Sequence, residues 1–379
     1  MNPDSNQIAQ SIALSIGIIA WNEEAAIGRC LESLFAQSLF AHCAALGLGV
    51  EIVGITNGCT DATPEIVRNI FADQSGSHQH RRAFSCRPID VSERGKLRAW
   101  NAFVHELSAQ EVSMLILMDG DIVLQHPDTL WNMISVLSND SEAWVSTDEP
   151  LKDISLGPKN SLRERISLAT SKMSQASEAQ LTGQLYCIRA EIARRIYLPR
   201  DLPACEDGFI KTLVCTDFLT KPTNPRRIVR AKNATHIFEA YLSVADVLRN
   251  QKRQMIGQTF LHVLHSYLGT ISLAQRQSLA EILRQQDEID AGWLLRLVQD
   301  HLQQTGFWGE IFPGVFEFRF QRLARLRGVE RWTHAPAAMI GFGVTMIACI
   351  AARHGLQRGA AQYWPDTKSR HLQSVATNE

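Results

Sequence analysis

Three short apolar runs, each stopped abruptly by polar or acidic residues, constrain this chain more than any other feature. Leu14–Ala20 stops at Trp21-Asn22-Glu23-Glu24, Val50–Thr56 at Asn57-Gly58-Cys59-Thr60-Asp61, and Val112–Met118 at Asp119-Gly120-Asp121. Continuous rather than alternating apolarity predicts strands covered on both faces, as in a parallel sheet. Between the runs, Ile27, Leu31, Leu34 and Phe35 recur at helical spacing. Asn22 can cap that helix, and Glu23 and Glu24 suit its positive first turn. Pro64 opens a second helix where proline is tolerated, and Lys96–Leu107 and Pro127–Leu137 also read as helical. Strands alternating with helices give an α/β fold whose ligand crevice lies beyond the carboxyl ends of the strands. All three polar clusters are therefore expected to face one crevice.

The clusters carry specific chemistry. Asp119 and Asp121, one residue apart at a strand end, can both reach one ion. Mg²⁺ and Mn²⁺ prefer such oxygen ligands and also bind phosphate oxygens, which neutralises a departing diphosphate. The same three residues can equally be a polar turn. Asn57 can hydrogen-bond a nucleobase edge while Gly58 permits a close turn; Thr60 or Asp61 can cap the next helix. Lys96 at a helix N-terminus is electrostatically misplaced, and an anionic ligand there would repair the mismatch. Glu206-Asp207, in a predicted loop at Ala204–Gly208, could take a proton from a hydroxyl, or be a solvated pair. Arg249, Lys252 and Arg253 share one helical face and could clasp a diphosphate or face solvent. His236 ends a strand-like run, as an additional metal ligand or as a satisfied core histidine.

Beyond Leu151 the pattern loosens. Lys152–Asn160 reads as a loop, a helical run follows to about Ser177, Gln184–Arg189 reads as a strand, Ala190–Ile196 as a helix, and Ser243 to about Gln303 as mostly helical. Arg319, Arg322, Arg325, Arg327 and Arg331 then alternate with Phe316, Phe318, Phe320, Leu323 and Leu326, ahead of the uncharged stretch Ala335–Ala352. As a helix that stretch reaches roughly 27 Å, just short of a hydrocarbon core of about 30 Å. It predicts membrane contact, against the alternative of a packed core helix. Met1–Ser11 is polar, with no pattern of a secretory signal. The net charge of -1 offers no general argument for nucleic-acid binding. The eight cysteines lack zinc or redox spacing, and most read as reduced, buried small side chains of a cytosolic protein.

Taken in order, these motifs resemble the inverting family 2 glycosyltransferases of the GT-A fold, over roughly Leu14–Gly257. Ser15–Glu24 is similar to that family's first strand and Asn-Glu turn, and Thr56–Thr63 to its Asp-Asp-Gly-Ser-Thr-Asp-Gly-Thr signature. Gly95-Lys96 with Asn101 matches its Gly-Lys helix, and Leu117–Asp121 its metal motif. Gly183 with Ile188-Arg189-Ala190 resembles its acceptor-side strand, and Glu206-Asp207 its catalytic acidic pair. The resemblance implies that Trp21, Glu23 and Asn57 hold a nucleoside with help from Lys96. Asp119 would contact donor ribose and phosphate, Asp121 would bind Mg²⁺ or Mn²⁺, and Asp207 would be the general base. Asn57 stands where the family has Asp, which changes the donor and acceptor pattern offered to a base. The Gln-x-x-Arg-Trp motif of processive members is degraded: Arg253 and Gly257 fit, but Asn250 and Gln254 replace Gln and Trp. Transfer of a single sugar is therefore expected rather than polymer synthesis.

The expected organisation is a GT-A (Rossmann-like) α/β domain over residues 1–265 and a mainly helical region over 266–379, with 335–352 as its membrane-associating segment. The expected partners are a nucleotide-sugar donor, with a UDP-sugar favoured, and a sugar or lipid-linked acceptor in cell-envelope polysaccharide synthesis at the inner face of the membrane. Nucleic acid is not expected. A nucleotidyltransferase making sugar nucleotides would open with a Gly-rich basic loop after the first strand, where this chain has Trp21-Asn22-Glu23-Glu24. A non-catalytic binding protein on the same scaffold is the other alternative, with Asp119, Asp121 and Asp207 arguing against it.

Overall fold

The computed structural model describes residues 12–153, 180–203, 205–239, 244–306, 311, 314–315 and 329–358. They divide into two compact units, residues 12–198 with 210–239, and residues 199–209 with 244–358.

The first unit is an eight-stranded sheet. Its strands are β1 (Ile12–Ala20), β2 (Gly49–Asn57), β3 (Phe84–Val91), β4 (Met114–Asp119), β5 (Val123–Leu124), β6 (Val145–Lys152), β7 (Leu185–Arg189) and β8 (Ile228–Phe238), in the order β3-β2-β1-β4-β7-β6-β8-β5. The run β3-β2-β1-β4 is parallel. All nine residues of β2 are buried, as its apolar sequence predicts for a strand covered on both faces. The second half is mixed: β7 is antiparallel to β4 and β6, β6 is parallel to β8, and β5 is antiparallel to β8. Periodicity missed β3, β6 and most of β8 because they alternate or carry polar residues, as in β3 with its largely exposed pattern.

Among the described residues, five helices and a short helical turn accompany the strands: α1 (Ile27–Phe35), α2 (Leu39–Leu46), α3 (Thr63–Ser77), α4 (Lys96–Ala102), α5 (Thr129–Asn139) and α6 (Ala190–Ala193). A π-helical segment, Phe103–Leu107, prolongs α4. The spacing that predicts α1 is what packs it: Ile27, Cys30, Leu31, Leu34 and Phe35 are buried, each large side chain contributing about 1.5–3 kcal/mol. They join Ile16, Ile18, Ile52, Ile116 and Met118 in one core. α7 (Glu206–Cys215) has residues in both units. It corrects the predicted loop at Ala204–Gly208: Glu206 and Asp207 form the first turn of a helix, where negative charge is favourable.

The second unit is helical: α8 (Val244–Thr270), α9 (Leu279–Ile289), α10 (Trp293–Thr305) and α11 (Val329–Gln357). α8 packs on α10 and α11, which also touch each other. Residue 265, the expected domain boundary, lies inside α8. Buried Asp287 accepts from Trp293 Nε1 at 2.8 Å and from the backbone N–H of Arg200 at 2.9 Å, tying down the chain ahead of α7.

No helix of the described residues is long and apolar enough to cross a membrane. The membrane contact expected of 335–352 is thus not supported by a spanning helix. α11 buries Thr345, Ala348, Cys349, Ala352 and Leu356. It also buries Arg353, whose guanidinium donates to the carbonyls of Leu302 and Gly306 and to Thr305 Oγ1 at the C-terminus of α10, where a cation is favoured. The arginine-aromatic segment 316–328 and the predicted loop and helix over 154–179 lie outside the described residues.

Candidate active site

The three strand-end clusters meet where the parallel order predicts. The turns after β1 and β2 are interlocked by reciprocal hydrogen bonds. Asn22, at φ 52°, accepts from the Thr60 N–H at 2.8 Å through Oδ1 and donates from Nδ2 to Thr60 Oγ1 at 3.2 Å. The Glu23 N–H donates to Thr63 Oγ1 at 2.8 Å, the Glu24 N–H to Asp61 Oδ2 at 3.1 Å, and the Ala62 N–H back to Glu24 Oε2 at 3.2 Å. Asp61 also accepts from the Thr63 N–H at 3.0 Å, serving the start of α3. These polar side chains are thus largely committed to a rigid double turn.

Asn57 is deeply buried, at 2% exposure. Its Nδ2 donates to Ala20 O at 2.8 Å and its Oδ1 accepts from the Gly95 N–H at 3.0 Å. One amide therefore ties β1, β2 and the approach to α4 together. Trp21 Nε1 donates to Gly58 O at 3.2 Å, and the Arg94 guanidinium lies 3.3 Å from the centre of the Trp21 ring, a cation–π contact. Gly58 has φ +65°, and a Cβ there would lie 2.7 Å from the Arg94 backbone nitrogen. Only glycine permits both the turn and the approach.

Lys96 opens α4, and its mismatch with the helix dipole is met by Asp119. Its ammonium lies 2.7 and 2.9 Å from the two Asp119 carboxylate oxygens and donates to Gly183 O at 3.1 Å. Both partners are about 15% exposed. The Asp119 N–H donates to Gln184 O at 2.8 Å, and the Gly120 N–H to Ile19 O at 3.0 Å. A Cβ on Gly120 would lie 2.8 Å from that of Ala20, so the residue between the two acids has to be small.

The charges of Glu23, Asp119 and Asp121 all reach one thiol. Burial first, and then the charges of Asp121, Asp119 and Glu23, hold the Cys30 thiol well above its ordinary range. Lys96 is paired to one of these carboxylates, Asp119. Among the described residues no group of three or more histidine, cysteine or acidic side chains is arranged to hold a metal by itself. One or two carboxylates that await phosphate oxygens are the usual setting for Mg²⁺, which is seldom bound by an all-protein cage. The donor set fits a hard cation that arrives with a diphosphate.

His236 stands differently. It is fully buried in β8, with Nδ1 2.7 Å from Asp148 Oδ2 and Nε2 3.3 Å from Gln184 Oε1. Both ring nitrogens already face protein partners. This is the arrangement that the core-histidine alternative describes.

Glu206 and Asp207 follow Cys205 in the chain, and Arg253 of α8 acts on the same thiol. Burial first, then the Glu206 and Asp207 charges, push the Cys205 thiol well up, while Arg253 pulls it down. Gly208 sits against Leu261 of α8, with a Cβ position 2.8 Å from Leu261 Cδ1. Arg249, Lys252 and Arg253 all lie on α8.

Sequence reasoning passed over Arg94, Asp148 and Gln184. Arg94 sits in a charged run that reads as solvated, and Asp148 and Gln184 matter only through partners 88 and 52 residues away. All eight cysteines are free thiols, with Cys59 and Cys86 partly exposed.

Residues 15–189 match the model of the family described as glycosyl transferase family 2. This matched stretch carries most of β1, all of β2 through β7 and the Asp-Gly-Asp site, and the mixed sheet is followed by a helical C-terminal region. No curated protein matches the sequence. Among solved structures, the chain is similar to a mannosyltransferase of Pyrobaculum calidifontis in complex with GDP-Man and Mn²⁺, at 14% identity and a TM-score of 0.48, over 98% of this chain and 89% of that one. It is similar to S. aureus TarS 1-349 in complex with UDP, at 16% identity and 0.43, over 93% of each. A third is glucosyl-3-phosphoglycerate synthase of Mycobacterium tuberculosis with Mn²⁺, UDP and phosphoglyceric acid, at 16% identity and 0.40, over 69% and 80%.

Proposed function

We propose that the chain transfers a single sugar, with inversion, from a nucleotide-diphosphate donor bound at the carboxyl ends of β1, β2 and β4 to a hydroxyl of a sugar or lipid-linked acceptor. The observation that carries this reading is the Lys96–Asp119 ion pair at the carboxyl end of β4, next to Gly120-Asp121. An ammonium beside two closely spaced acids suits a cation and a diphosphate together. Asp121, with Asp119, would hold Mg²⁺ or Mn²⁺, which when bound supplies neutralisation of the leaving diphosphate.

The remaining steps belong to the protein's own groups. Trp21, braced by Gly58 and Arg94, receives the nucleoside with Glu23. Asn57 contributes by fixing Gly95 and hence Lys96; its terminal atoms serve the frame before they serve a base. Lys96 holds the Asp119 carboxylate in one orientation and adds positive charge near the phosphates. Asp207, with Glu206 beside it, takes the proton from the acceptor oxygen as that oxygen attacks the anomeric carbon from the face opposite the diphosphate. Arg253 adds positive charge for the diphosphate.

The test is thermal stabilisation of the purified chain by UDP, GDP and CDP, with and without Mn²⁺, since a ligand that binds only the native state raises its stability. A Mn²⁺-dependent shift with one nucleotide series, lost in Asp121→Ala, is the expected outcome. No shift with any nucleotide, or an undiminished shift in Asp121→Ala, overturns the reading. The same titration ranks UDP, the favoured donor nucleotide, against the others.

A further inference from the structure

Asp148 and His236 are brought together by an irregularity in the sheet. β6 and β8 pair in parallel, but the register jumps between Thr147↔Arg230 and Glu149↔Thr235. Asp148 sits at that jump, and Asn233 opposite it takes φ 53°. The bulge is built in rather than loose. Thr129 Oγ1 accepts from the Thr235 N–H and donates to Thr235 O, both at 3.1 Å, and Asn132 Nδ2 donates to Asn233 O at 2.9 Å. Bulges next to active sites commonly re-aim a side chain. Here the effect is to set the Asp148 carboxylate 2.7 Å from His236 Nδ1, with neither side chain exposed.

The ring of His236 then carries the contact onward. Its Nε2 faces Gln184 Oε1 at 3.3 Å. The dipeptide Gly183-Gln184 is the anchor of both groups at the phosphate end of the site: Gly183 O accepts from Lys96 Nζ at 3.1 Å, and Gln184 O accepts from the Asp119 N–H at 2.8 Å. A buried, paired side chain that touches the one turn on which an ammonium and a carboxylate both depend can fix their spacing from behind, as outer partners fix the orientation of ligands elsewhere.

We propose that the Asp148–His236 pair is a positioning lock rather than a metal site: through Gln184 it fixes the Gly183-Gln184 turn, and with it the placement of Lys96 and Asp119 for a nucleotide diphosphate. The consequence for the donor rests on the proposed function, while the lock itself is a statement about the ligand-free chain.

The test is amide hydrogen exchange on the full chain, joined to separate titrations with UDP and GDP in the presence of Mn²⁺. Gln184→Met keeps the length of the side chain and removes its amide. In that variant the Asp119 N–H is expected to exchange about tenfold faster while the amides of β2 keep their wild-type rates, since local opening is read separately from global stability. Nucleotide affinity falls about fivefold with it, the scale of one lost hydrogen bond. Asp148→Asn, which keeps an acceptor for Nδ1, stays within about twofold of wild type on both readouts. Unchanged Asp119 exchange in Gln184→Met overturns the lock, and so does an acceleration spread evenly over β1 and β2, which is a loss of general stability. If His236→Gln abolishes the Mn²⁺ dependence while Gln184→Met retains it, His236 is a metal ligand and the proposal falls. A wild-type chain that binds neither nucleotide refutes the donor reading alone, because the exchange rates still decide the lock.

Discussion

The two ends of the parallel strands each carry a partly buried acid paired to a base, and they serve different ends. Toward the amino ends, Glu51 is saturated. Oε1 accepts from Arg87 at 3.0 Å, and Oε2 accepts from Ser15 Oγ at 2.6 Å and from the Ala109 N–H at 2.8 Å. Arg87 also donates to Leu107 O. Such an acid is closed to ligands and stitches β1, β2, β3 and the end of the π segment. At the carboxyl ends, Asp119 shares its surroundings with Glu23 and Asp121, and Lys96 supplies one positive charge to that group. A charged pair is therefore not a site by virtue of being charged. What separates the two ends is place: Glu51 holds strand starts together through donors of the frame, whereas Asp119 and Lys96 meet at the carboxyl ends, where a parallel sheet puts its ligand crevice.

Substitutions at the two ends are expected to part stability from function. The largest effect belongs to the proposed base: Asp207→Asn is expected to lower sugar transfer by about 10²–10⁴-fold while nucleotide affinity, read by titration, stays at the wild-type value. Lost affinity with retained rate would move the acid from the base role to the donor site. Lys96→Met should weaken Mn²⁺-nucleotide binding by about 10–100-fold, the scale of losing hydrogen bonds to charged groups, with a small change in Tm. Glu51→Leu is its mirror, expected to cost about 2–3 kcal/mol of stability by chemical denaturation because it strands its donors, with nucleotide affinity unchanged. If these two variants exchanged phenotypes, the contrast between the strand ends would collapse. Gly120→Ala should cost about 1–3 kcal/mol, since its Cβ meets that of Ala20, and should misplace Asp121 in proportion.

The smallest effects are in pH. Burial works against the Asp217 carboxylate, but a hydrogen bond from Lys221 and the charges of Arg227, Lys221 and Arg195 outweigh it and hold its pKa below the ordinary value. A lowered folded pKa gives stability that is present above the unfolded value, about 3.9, and lost as pH falls through the folded one. The stability difference between wild type and Asp217→Asn should therefore shrink on acidification through that range. His265 runs the same way at higher pH. Burial first, then His262, lowers its pKa. Stability is retained above about 6.5 and declines as the pH drops from there toward the folded value. His265→Phe should flatten that decline, as followed by Tm from pH 7 to 5.

The sequence by itself determined three of the four parallel strands, β1, β2 and β4, and the meeting of the three polar clusters. Leu14–Ala20, Val50–Thr56 and the run ending at Asp119 are apolar without alternation, and helix-period spacing at Ile27, Leu31, Leu34 and Phe35 leaves one way to cover them. Strand direction then sends every carboxyl end to the same crevice. The acids of Asp119-Gly120-Asp121 were legible because one short segment carries them. Tertiary structure alone decided what each polar group spends its hydrogen bonds on. Asn57 faces Ala20 and Gly95, and His236 faces Asp148 and Gln184, across separations of 37 to 88 residues that periodicity cannot reach. Tertiary structure also showed which residues of the uncharged stretch Ala335–Ala352 are covered: Thr345, Ala348, Cys349 and Ala352 are buried while Met339, Ile347 and Ile350 are exposed. The neighbours α8 and α10 cover the face that holds Ala348, Ala352 and Leu356. Local pattern records what a residue's own segment wants to bury, whereas a donor's or acceptor's partner is fixed only when distant segments have already packed.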